Sequence, residues 1–283
     1  MNIKLNQYPK ISVITPNYDQ AGFIEETITS VLSQNYPNLE YIIIDGGSTD
    51  RSLDIIKKYQ DELAYWVSEK DGGMYDAINK GFRKSSGEIM CWINSDDILQ
   101  EGALLQVALL FEKHKDLRWL QGKPTVIDAQ GETLKHPKPI GSKQHFYLGF
   151  YEKEYSFIQQ ESTFWKRELW EQAGGAISLD YSLAADFDLW MRFFKHAELF
   201  LTEHALGAFR VRDGQKSANQ SDYLKEANKA LAKHITSLSV KERWSIFRYK
   251  TLVKLWASCN FTFCRTRLKQ LKKQLIINKT LPV

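Results

Sequence analysis

The sequence predicts an open α/β sheet with helices on both faces, and two observations support this fold class. Strand-like apolar runs alternate with amphipathic helical patterns four times between residues 10 and 97. Each run also ends in a turn that is rich in Asp, Asn or Gly. Ligands bind at the carboxyl ends of the strands in an open α/β sheet, so these polar turns are expected to meet in one crevice.

Four predicted strands define this crevice. They occupy residues 10–18, 39–44, 63–67 and 88–93, and helical patterns follow the first three. The first strand ends in a Pro-Asn turn, the second in a glycine turn and the fourth in two adjacent carboxylates. The polar residues at the strand ends are Thr15, Pro16, Asn17, Asp45, Asp71, Asp96 and Asp97.

The adjacent carboxylates of Asp96 and Asp97 are the most informative of these residues. Carboxylates at a strand end suit Mg²⁺ or Mn²⁺ that holds a diphosphate, because these cations prefer oxygen ligands and share them with phosphate and water. The pair is also compatible with an ordinary turn that starts the helical pattern after residue 101. The pattern alone leaves both interpretations open.

Longer stretches of the sequence resemble the family 2 glycosyltransferases, which have the GT-A fold. The matching stretches follow the family's order over most of residues 10–217. They are ISVITPNYDQAGFIEETITSVLSQNYPNLEYIIIDGGSTD, YWVSEKDGGMYDAINKGF, GEIMCWINSDD, QQESTFWKRELWEQAGG and AADFDLWMRF. The resemblance implies a Rossmann-like central sheet, a nucleotide-sugar donor, with UDP the expected nucleotide, and Mn²⁺ or Mg²⁺ as cofactor.

The resemblance also implies roles for the residues at the strand ends. The turn of Thr15, Pro16 and Asn17 would hold the nucleobase and ribose together with Asp45, whose carboxylate would accept the N3 proton of uracil. Asp96 would face ribose or metal, and Asp97 would bind the cation. Gly46 stands where the family usually has a second Asp, and Ile78 where Arg is frequent. Asp71 and Lys80 complete the predicted donor site, with Lys80 as a substitute cation or simply a solvent-facing helix residue.

The catalytic base is expected elsewhere, because carboxylates that bind a cation are poor proton acceptors. An inverting transfer needs one group that accepts the proton of the attacking hydroxyl. Asp186 is the candidate, since it opens a helical pattern and resembles the family's acidic element before Asp-Leu-Trp, with Ala185 in place of the more usual Glu. The alternative is that Asp186 is a helix N-cap.

Acceptor binding is assigned to the segment between the donor half and Asp186. Gln160 and Glu161 suit sugar hydroxyls, and the indole of Trp165 suits the face of a sugar ring. Most buried Trp residues nevertheless belong to a core, and this alternative stays open for Trp165.

The composition agrees with a soluble intracellular protein. Hydrophobic residues make up 43% and charged residues 25% of the 283 positions, as is ordinary for globular proteins. The three cysteines lack ligand spacing, so neither a disulfide framework nor a zinc site is predicted. No N-terminal apolar signal and no membrane-spanning run is present, which predicts a cytoplasmic location.

Residues 241–279 form a basic, aromatic-rich tail. It contains eleven Lys or Arg and one acid, Glu242, and aromatic residues are interleaved with the basic ones. Such a helix is predicted to lie on an anionic membrane at the inner face of the cell membrane. The alternatives are a helical cap on the core and a nucleic-acid tail, of which the last is not expected.

These observations predict a GT-A catalytic domain over residues 1–220, with a donor half over about 1–100 and an acceptor half over about 101–220. Residues 221–283 are predicted to form a helical extension. The predicted function is the inverting transfer of a sugar to a hydroxyl of a growing surface glycan, including a lipid-linked glycan. The alternatives are a catalytically silent carbohydrate-binding protein and a methyltransferase, although the first strand is not followed by Gly-x-Gly.

Overall fold

A computed structural model describes residues 8–154, 157–215, 219–257 and 279–281. The strands are β1 (Ile11–Asn17), β2 (Leu39–Asp45), β3 (Tyr65–Ser68), β4 (Ile89–Trp92), β5 (Ile98–Leu99), β6 (Trp119–Gln121), β7 (Val126–Ile127), β8 (Thr133–Lys135), β9 (Thr163–Lys166), β10 (Phe200–Leu201), β11 (Gly207–Arg210) and β12 (Lys279–Thr280). The α-helices are α1 (Ile24–Leu32), α2 (Ser52–Lys58), α3 (Met74–Lys84), α4 (Ala103–Lys113), α5 (Lys143–Tyr147), α6 (Phe150–Glu154), α7 (Arg167–Gln172), α8 (Ala185–Phe193), α9 (Gln220–Ser237) and α10 (Val240–Ala257).

Among the described residues, eight strands form the main sheet, in the order β12-β10-β6-β9-β4-β1-β2-β3. The neighbours β3, β2, β1 and β4 are parallel, whereas β9 runs antiparallel to both β4 and β6. A smaller sheet has the order β5-β11-β7-β8. The four predicted strands and the predicted α/β class are confirmed.

The parallel register brings the predicted polar turns together. Asn17 lies opposite Asp45, and Asp45 lies opposite Ser68, at the carboxyl ends of β1, β2 and β3. All seven residues of β1 are buried, as expected for a central strand that is covered on both faces. Helix α3 packs closely on β1 because Gly81 has no side chain: a Cβ there would lie 2.3 Å from Cγ2 of Ile14.

An aromatic cluster attaches α8 to the sheet. The ring of Trp190 stacks between Trp92 of β4 and Trp119 of β6, with centroid distances of 5.8 and 5.5 Å. Trp165 of β9 packs edge-on against Trp92 and Trp190 in the same cluster. Since large buried aromatic surfaces contribute strongly to packing, this cluster fixes α8 and therefore the position of Asp186 at its start.

The described part of the predicted extension is packed into this fold. Helix α9 packs along α8, and β12 adds a parallel strand to β10, with Leu281 buried beside it. Helix α9, which begins at residue 220, therefore packs against the predicted acceptor half. Residues 258–278 of the basic tail lie outside the described residues. Among the helices that the structure describes, none is long and apolar enough to cross a membrane.

Candidate active site at the carboxyl edge of the sheet

Asp45 organises the turns after β1, β2 and β3. Its Oδ1 accepts hydrogen bonds from Asn17 Nδ2 at 2.7 Å and from Ser48 Oγ at 2.5 Å. Its Oδ2 accepts from Ser68 Oγ at 2.6 Å and from the backbone N–H groups of Ser48 and Gly47 at 2.9 and 3.1 Å. Burial alone would raise the pKa of Asp45, but the bonds from Ser48, Ser68 and Asn17 outweigh it and lower the pKa.

This geometry corrects the predicted contact between Asp45 and a nucleobase. The side chain is fully buried, and its lone pairs already accept bonds from the surrounding turns. A uracil N3–H would have to displace one of them. Asp45 therefore holds the turns after β1, β2 and β3 together.

The predicted turn residues Thr15, Pro16 and Asn17 are also buried. The Thr15 hydroxyl is hydrogen-bonded to the hydroxyl of Tyr41 at 3.1 Å, which places this side chain in the core. The next residue, Tyr18, follows the end of β1 and is 60% exposed. An exposed aromatic ring beside a polar turn can stack on a base, and the sequence analysis did not single out Tyr18.

Asp71 fills the space that Gly46 leaves open. A Cβ at Gly46 would lie 2.9 Å from Oδ2 of Asp71, so the glycine makes room for this carboxylate. The other oxygen of Asp71 accepts from the N–H of Gly73 at 2.7 Å. The ammonium group of Lys80 forms ion pairs with two neighbouring acids, Glu69 at 2.9 Å and Asp76 at 3.7 Å. Lys80 could meet a phosphate only by leaving these partners.

Asp96 lies in the turn after β4 and is partly exposed. Its Oδ2 forms an ion pair with Arg212 Nε at 2.9 Å, and its side chain is 14% exposed. Arg212 also donates to Gln20 at 2.7 Å and lies over the ring of Phe23, which holds the guanidinium in place. Within the described residues, Oδ1 of Asp96 accepts no hydrogen bond.

Asp97, by contrast, points into the protein and holds β11 against the turn after β4. Its carboxylate is fully buried and accepts from the N–H of Arg210 at 2.8 Å and from Asn94 Nδ2 at 3.1 Å. Burial, with smaller contributions from Glu161 and Asp96, raises the pKa of Asp97 well above its usual value. The prediction that Asp97 binds the cation is therefore corrected, because the side chain has no exposed oxygen to offer.

The fully buried side chain of Arg210 completes this support. Its guanidinium donates to the backbone oxygen of Asp96 at 2.6 Å and to Glu26 at 2.6 Å. It also donates to the backbone oxygens of Asp128 and Ala129, both at 3.1 Å. Because all three nitrogen atoms of its guanidinium donate hydrogen bonds, Arg210 positions the segment that carries Asp96.

Asp186 lies at the start of α8 and is held by α9. The hydroxyl of Tyr223 lies 3.3 and 3.1 Å from the two carboxylate oxygens of Asp186. Burial raises the pKa of Asp186 to about 6, although the Phe187 N–H and the Tyr223 hydroxyl act against this. A carboxyl group with this pKa is ionised at neutral pH and is a better proton acceptor than an ordinary Asp.

Glu226 of α9 fixes the turn that leads into Asp186. Its Oε2 accepts from the N–H groups of Ser182, Leu183 and Ala184 at 3.0, 2.8 and 3.0 Å. Tyr75 of α3 donates to the Leu183 carbonyl at 2.7 Å on the same turn. Sequence analysis missed Tyr223 and Glu226, because both lie beyond the boundary drawn at residue 220.

The predicted acceptor residues have three different environments. Gln160 is buried, and its amide nitrogen donates to the backbone oxygen of Trp92. Glu161 is 4% exposed, and burial raises its pKa to about 8, with Asp186 and Asp96 adding smaller repulsions. Trp165 is a core residue of the aromatic cluster, so its predicted role as a sugar platform is corrected.

The carboxylates suit a cation that is shared with a substrate better than a protein-only metal site. Within the described residues, no group of three or more His, Cys, Asp or Glu could hold a metal ion. Of the two adjacent carboxylates Asp96 and Asp97, Asp96 is the one that is partly exposed. One carboxylate is sufficient for Mg²⁺ or Mn²⁺ when a diphosphate and water supply the other ligands.

Comparison with known proteins identifies the class. The sequence model described as glycosyl transferase family 2 matches residues 12–167. The chain therefore belongs to glycosyl transferase family 2. An uncharacterized glycosyltransferase of Rickettsia typhi is 29% identical over 231 residues, which cover 79% of this chain and 71% of the relative. An uncharacterized glycosyltransferase of Mycobacterium tuberculosis is 29% identical over 194 residues, covering 65% of this chain and 68% of the relative.

Solved structures share the GT-A fold. S. aureus TarS 1-349 in complex with UDP-GlcNAc has a TM-score of 0.67 and 19% identity, covering 94% of this chain and 77% of that one. Mannosyltransferase PcManGT from Pyrobaculum calidifontis, in complex with GDP-Man and Mn²⁺, has a TM-score of 0.61 and 17% identity, covering 94% and 80%. A longer TarS chain is matched over 43% of its length.

Proposed function

We propose that this glycosyltransferase moves a sugar from a nucleotide-sugar, with UDP as the expected nucleotide, to an acceptor hydroxyl with inversion. The observation that carries the proposal is the proximity of three acidic side chains. Asp96 lies in the turn after β4, Asp186 has a pKa of about 6 at the start of α8, and Glu161 interacts electrostatically with both. The complexes of TarS with UDP-GlcNAc and of PcManGT with GDP-Man support a nucleotide-linked donor.

In the proposed reaction Asp186 accepts the proton of the acceptor hydroxyl while that oxygen attacks the anomeric carbon. The bond to the nucleoside diphosphate breaks at the same step, so the product has the inverted configuration and no covalent enzyme intermediate is needed. Tyr223 and Glu226 hold the base in place, which keeps attacking and accepting groups in a reactive arrangement. A divalent cation at Asp96 would offset the charge of the diphosphate.

A thermal-shift panel on the full chain tests the donor side. UDP, GDP, CMP, dTDP and S-adenosylmethionine are compared with and without Mn²⁺, because a ligand that binds only the folded state raises its stability. UDP is expected to raise the melting temperature only with Mn²⁺, and the shift should be lost in Asp96→Asn. A shift by S-adenosylmethionine alone would contradict the proposal.

A hydrolysis assay separates an enzyme from a silent carbohydrate-binding protein. The full chain is incubated with UDP-GlcNAc and Mn²⁺, and UDP release to water or to an added glycan is measured. Release that depends on Asp186 supports the enzyme. Binding of the donor without any release, under conditions in which the thermal shift is present, would favour the silent protein.

For the acceptor we propose a growing surface glycan, including one carried by a lipid, at the cytoplasmic face of the cell membrane. Helix α10 supports this location. Trp244 and Phe247 are 59% and 61% exposed and their rings are in contact, with centroids 5.7 Å apart. Exposed basic residues surround them on the same helix: Lys241, Arg243, Arg248 and Lys250. Aromatic rings with flanking cations suit the interface of an anionic membrane.

A further inference from the structure

A cavity of about 300 Å³ lies between α8, α9 and the loop of residues 176–178. Asp188 and Arg192 of α8, Lys195, and Lys233, His234 and Ser237 at the end of α9 line this cavity. Asp96, Glu161 and Asp186 are not among its lining residues. Asp188 follows Asp186 by two residues, which places the two side chains roughly 200° apart around the helix.

The lining carries an excess of positive charge. Arg192 forms an ion pair with Asp188 at 2.9 Å, and Lys233 forms one with Asp180 at 3.3 Å. Lys195 donates to the neutral hydroxyl of Ser237 at 2.6 Å, and no carboxylate pairs with it within the described residues. One positive charge thus remains after both ion pairs are counted.

Two buried nitrogen atoms in the lining have no hydrogen-bond partner within the described residues, namely Nη2 of Arg192 and Nδ1 of His234. The His234 side chain is 5% exposed, and its Nε2 is hydrogen-bonded to the Tyr147 hydroxyl at 2.9 Å. Burial, together with Lys195 and Lys143, lowers the pKa of His234 to about 4, so the ring is neutral. When Tyr147 donates to Nε2, Nδ1 carries the ring proton and can donate.

We infer that this cavity binds a phosphate group. A tetrahedral oxyanion supplies several acceptor oxygens to the two exposed ammonium groups of the lining. A side-chain rearrangement that uncovers Nη2 of Arg192 or Nδ1 of His234 would add a donor that otherwise lacks an acceptor. The volume exceeds that of an inorganic phosphate, so the cavity has room for a larger phosphorylated molecule such as a sugar phosphate. A phosphate there would also link α8 and α9, the helices that carry Asp186 and Tyr223.

Calorimetric titration of the full chain tests this inference, with inorganic phosphate and glucose 1-phosphate as separate probes at constant ionic strength. The double variant Lys195→Ala with Lys233→Ala removes two cations from the cavity. Both side chains are exposed, so the fold is expected to persist. The affinity for phosphate should fall about tenfold or more, because charge-assisted hydrogen bonds are lost.

The matched control is Lys225→Ala with Lys229→Ala. It removes the same charge from α9, where Lys225 pairs with Asp222 and Lys229 lies over the ring of Tyr181, outside the cavity. The control should bind both probes as the wild type does. Tighter binding of glucose 1-phosphate than of inorganic phosphate would support a phosphorylated sugar as the source. Equal loss of affinity in both double variants, or no binding of either probe by the wild type, would overturn the inference.

Discussion

Individual carboxyl groups at this edge of the sheet differ in acidity because their surroundings differ. Asp45 is buried, but it receives enough hydrogen bonds to have a lowered pKa. Burial dominates at Asp186 and Glu161, whose pKa values rise to about 6 and about 8. At neutral pH, Asp186 is therefore the ionised group with raised basicity, whereas Glu161 keeps its proton and can donate a hydrogen bond.

Replacement of the base tests the role of Asp186 directly. Asp186→Asn keeps the shape of the side chain but cannot accept a proton, so transfer should fall by about 10² to 10⁴. Affinity for UDP with Mn²⁺ should persist, since the residue lies away from the donor turns. The two quantities are measured by product formation and by titration. Near-normal transfer at neutral pH would show that a different residue is the base.

Asp97 and Asp96 should respond differently to the same substitution. Asp97→Asn leaves one oxygen to accept the N–H of Arg210 but puts an amide in a fully buried site, and we expect a loss of about 1–3 kcal/mol in stability. Asp96→Asn should also lose some stability, because the ion pair with Arg212 is largely buried, but it should in addition remove the effect of Mn²⁺ on UDP binding, which Asp97→Asn should keep. Urea unfolding and UDP titration measure the two effects. If UDP binding by Asp96→Asn still responded to Mn²⁺ and that of Asp97→Asn did not, the assignment of the cation to Asp96 would be wrong.

Secondary-structure elements were predictable where local pattern decides them. The strands β1, β2, β3 and β4 follow from continuous apolar runs that end in polar turns. Whether Asp96 or Asp97 faces inward depends on the geometry of the turn and on Arg210 of β11. Neither factor can be deduced from the neighbouring residues in the sequence. For Trp165, a strand buried on both faces removes the alternation that would distinguish a core indole from a surface one.

Helix α9 shows the other limit of prediction. Its amphipathic pattern indicates a helix, but the contact of Tyr223 with Asp186 depends on how α9 packs on α8. No local signal encodes that packing. Glu226, which accepts three N–H groups of the turn before α8, is equally invisible in the sequence.

The effect of α9 on the pKa of Asp186 can be measured from the pH dependence of kcat/KM. Asp186 must be ionised to accept a proton, so kcat/KM should fall as the pH drops through about 6. The Tyr223 hydroxyl lowers this pKa by donating to the ionised form, and Tyr223→Phe should therefore move the acidic limb to higher pH. Tyr59→Phe, at a hydroxyl that donates to Glu25 far along the chain, is the control and should leave the limb in place. An unchanged limb in Tyr223→Phe would refute the role of α9.

Considered as a whole, the molecule has an uneven charge distribution. Residues 241–279 carry eleven Lys or Arg and one acid, while the net charge of the complete sequence is only +4. The catalytic part is therefore acidic and the tail basic. This asymmetry would orient the protein at an anionic surface with α10 towards the surface.

Membrane attachment is tested by removing the exposed aromatic rings of α10. Trp244→Ser with Phe247→Ser should reduce binding to vesicles of phosphatidylglycerol and phosphatidylcholine by about tenfold or more, because burial of both rings at the interface is lost. Co-sedimentation measures the bound fraction. The control, Leu105→Ser with Leu109→Ser, removes two partly exposed apolar side chains from α4 and should bind normally. Failure of the wild type to bind these vesicles would refute the proposed location.

The pairing of β12 with β10 has a consequence for the newborn chain. Residues 200–201 leave the ribosome well before residues 279–280. Until β12 arrives, the N–H and C=O groups on one side of β10 therefore lack their partner strand. At the usual rates of synthesis this interval lasts roughly 4–16 s. An open strand edge is a template for pairing with another chain, and neighbouring ribosomes on one messenger hold many identical chains close together. Arrival of the residues around Leu281, whose N–H donates to the Leu201 carbonyl at 2.8 Å, ends this exposure.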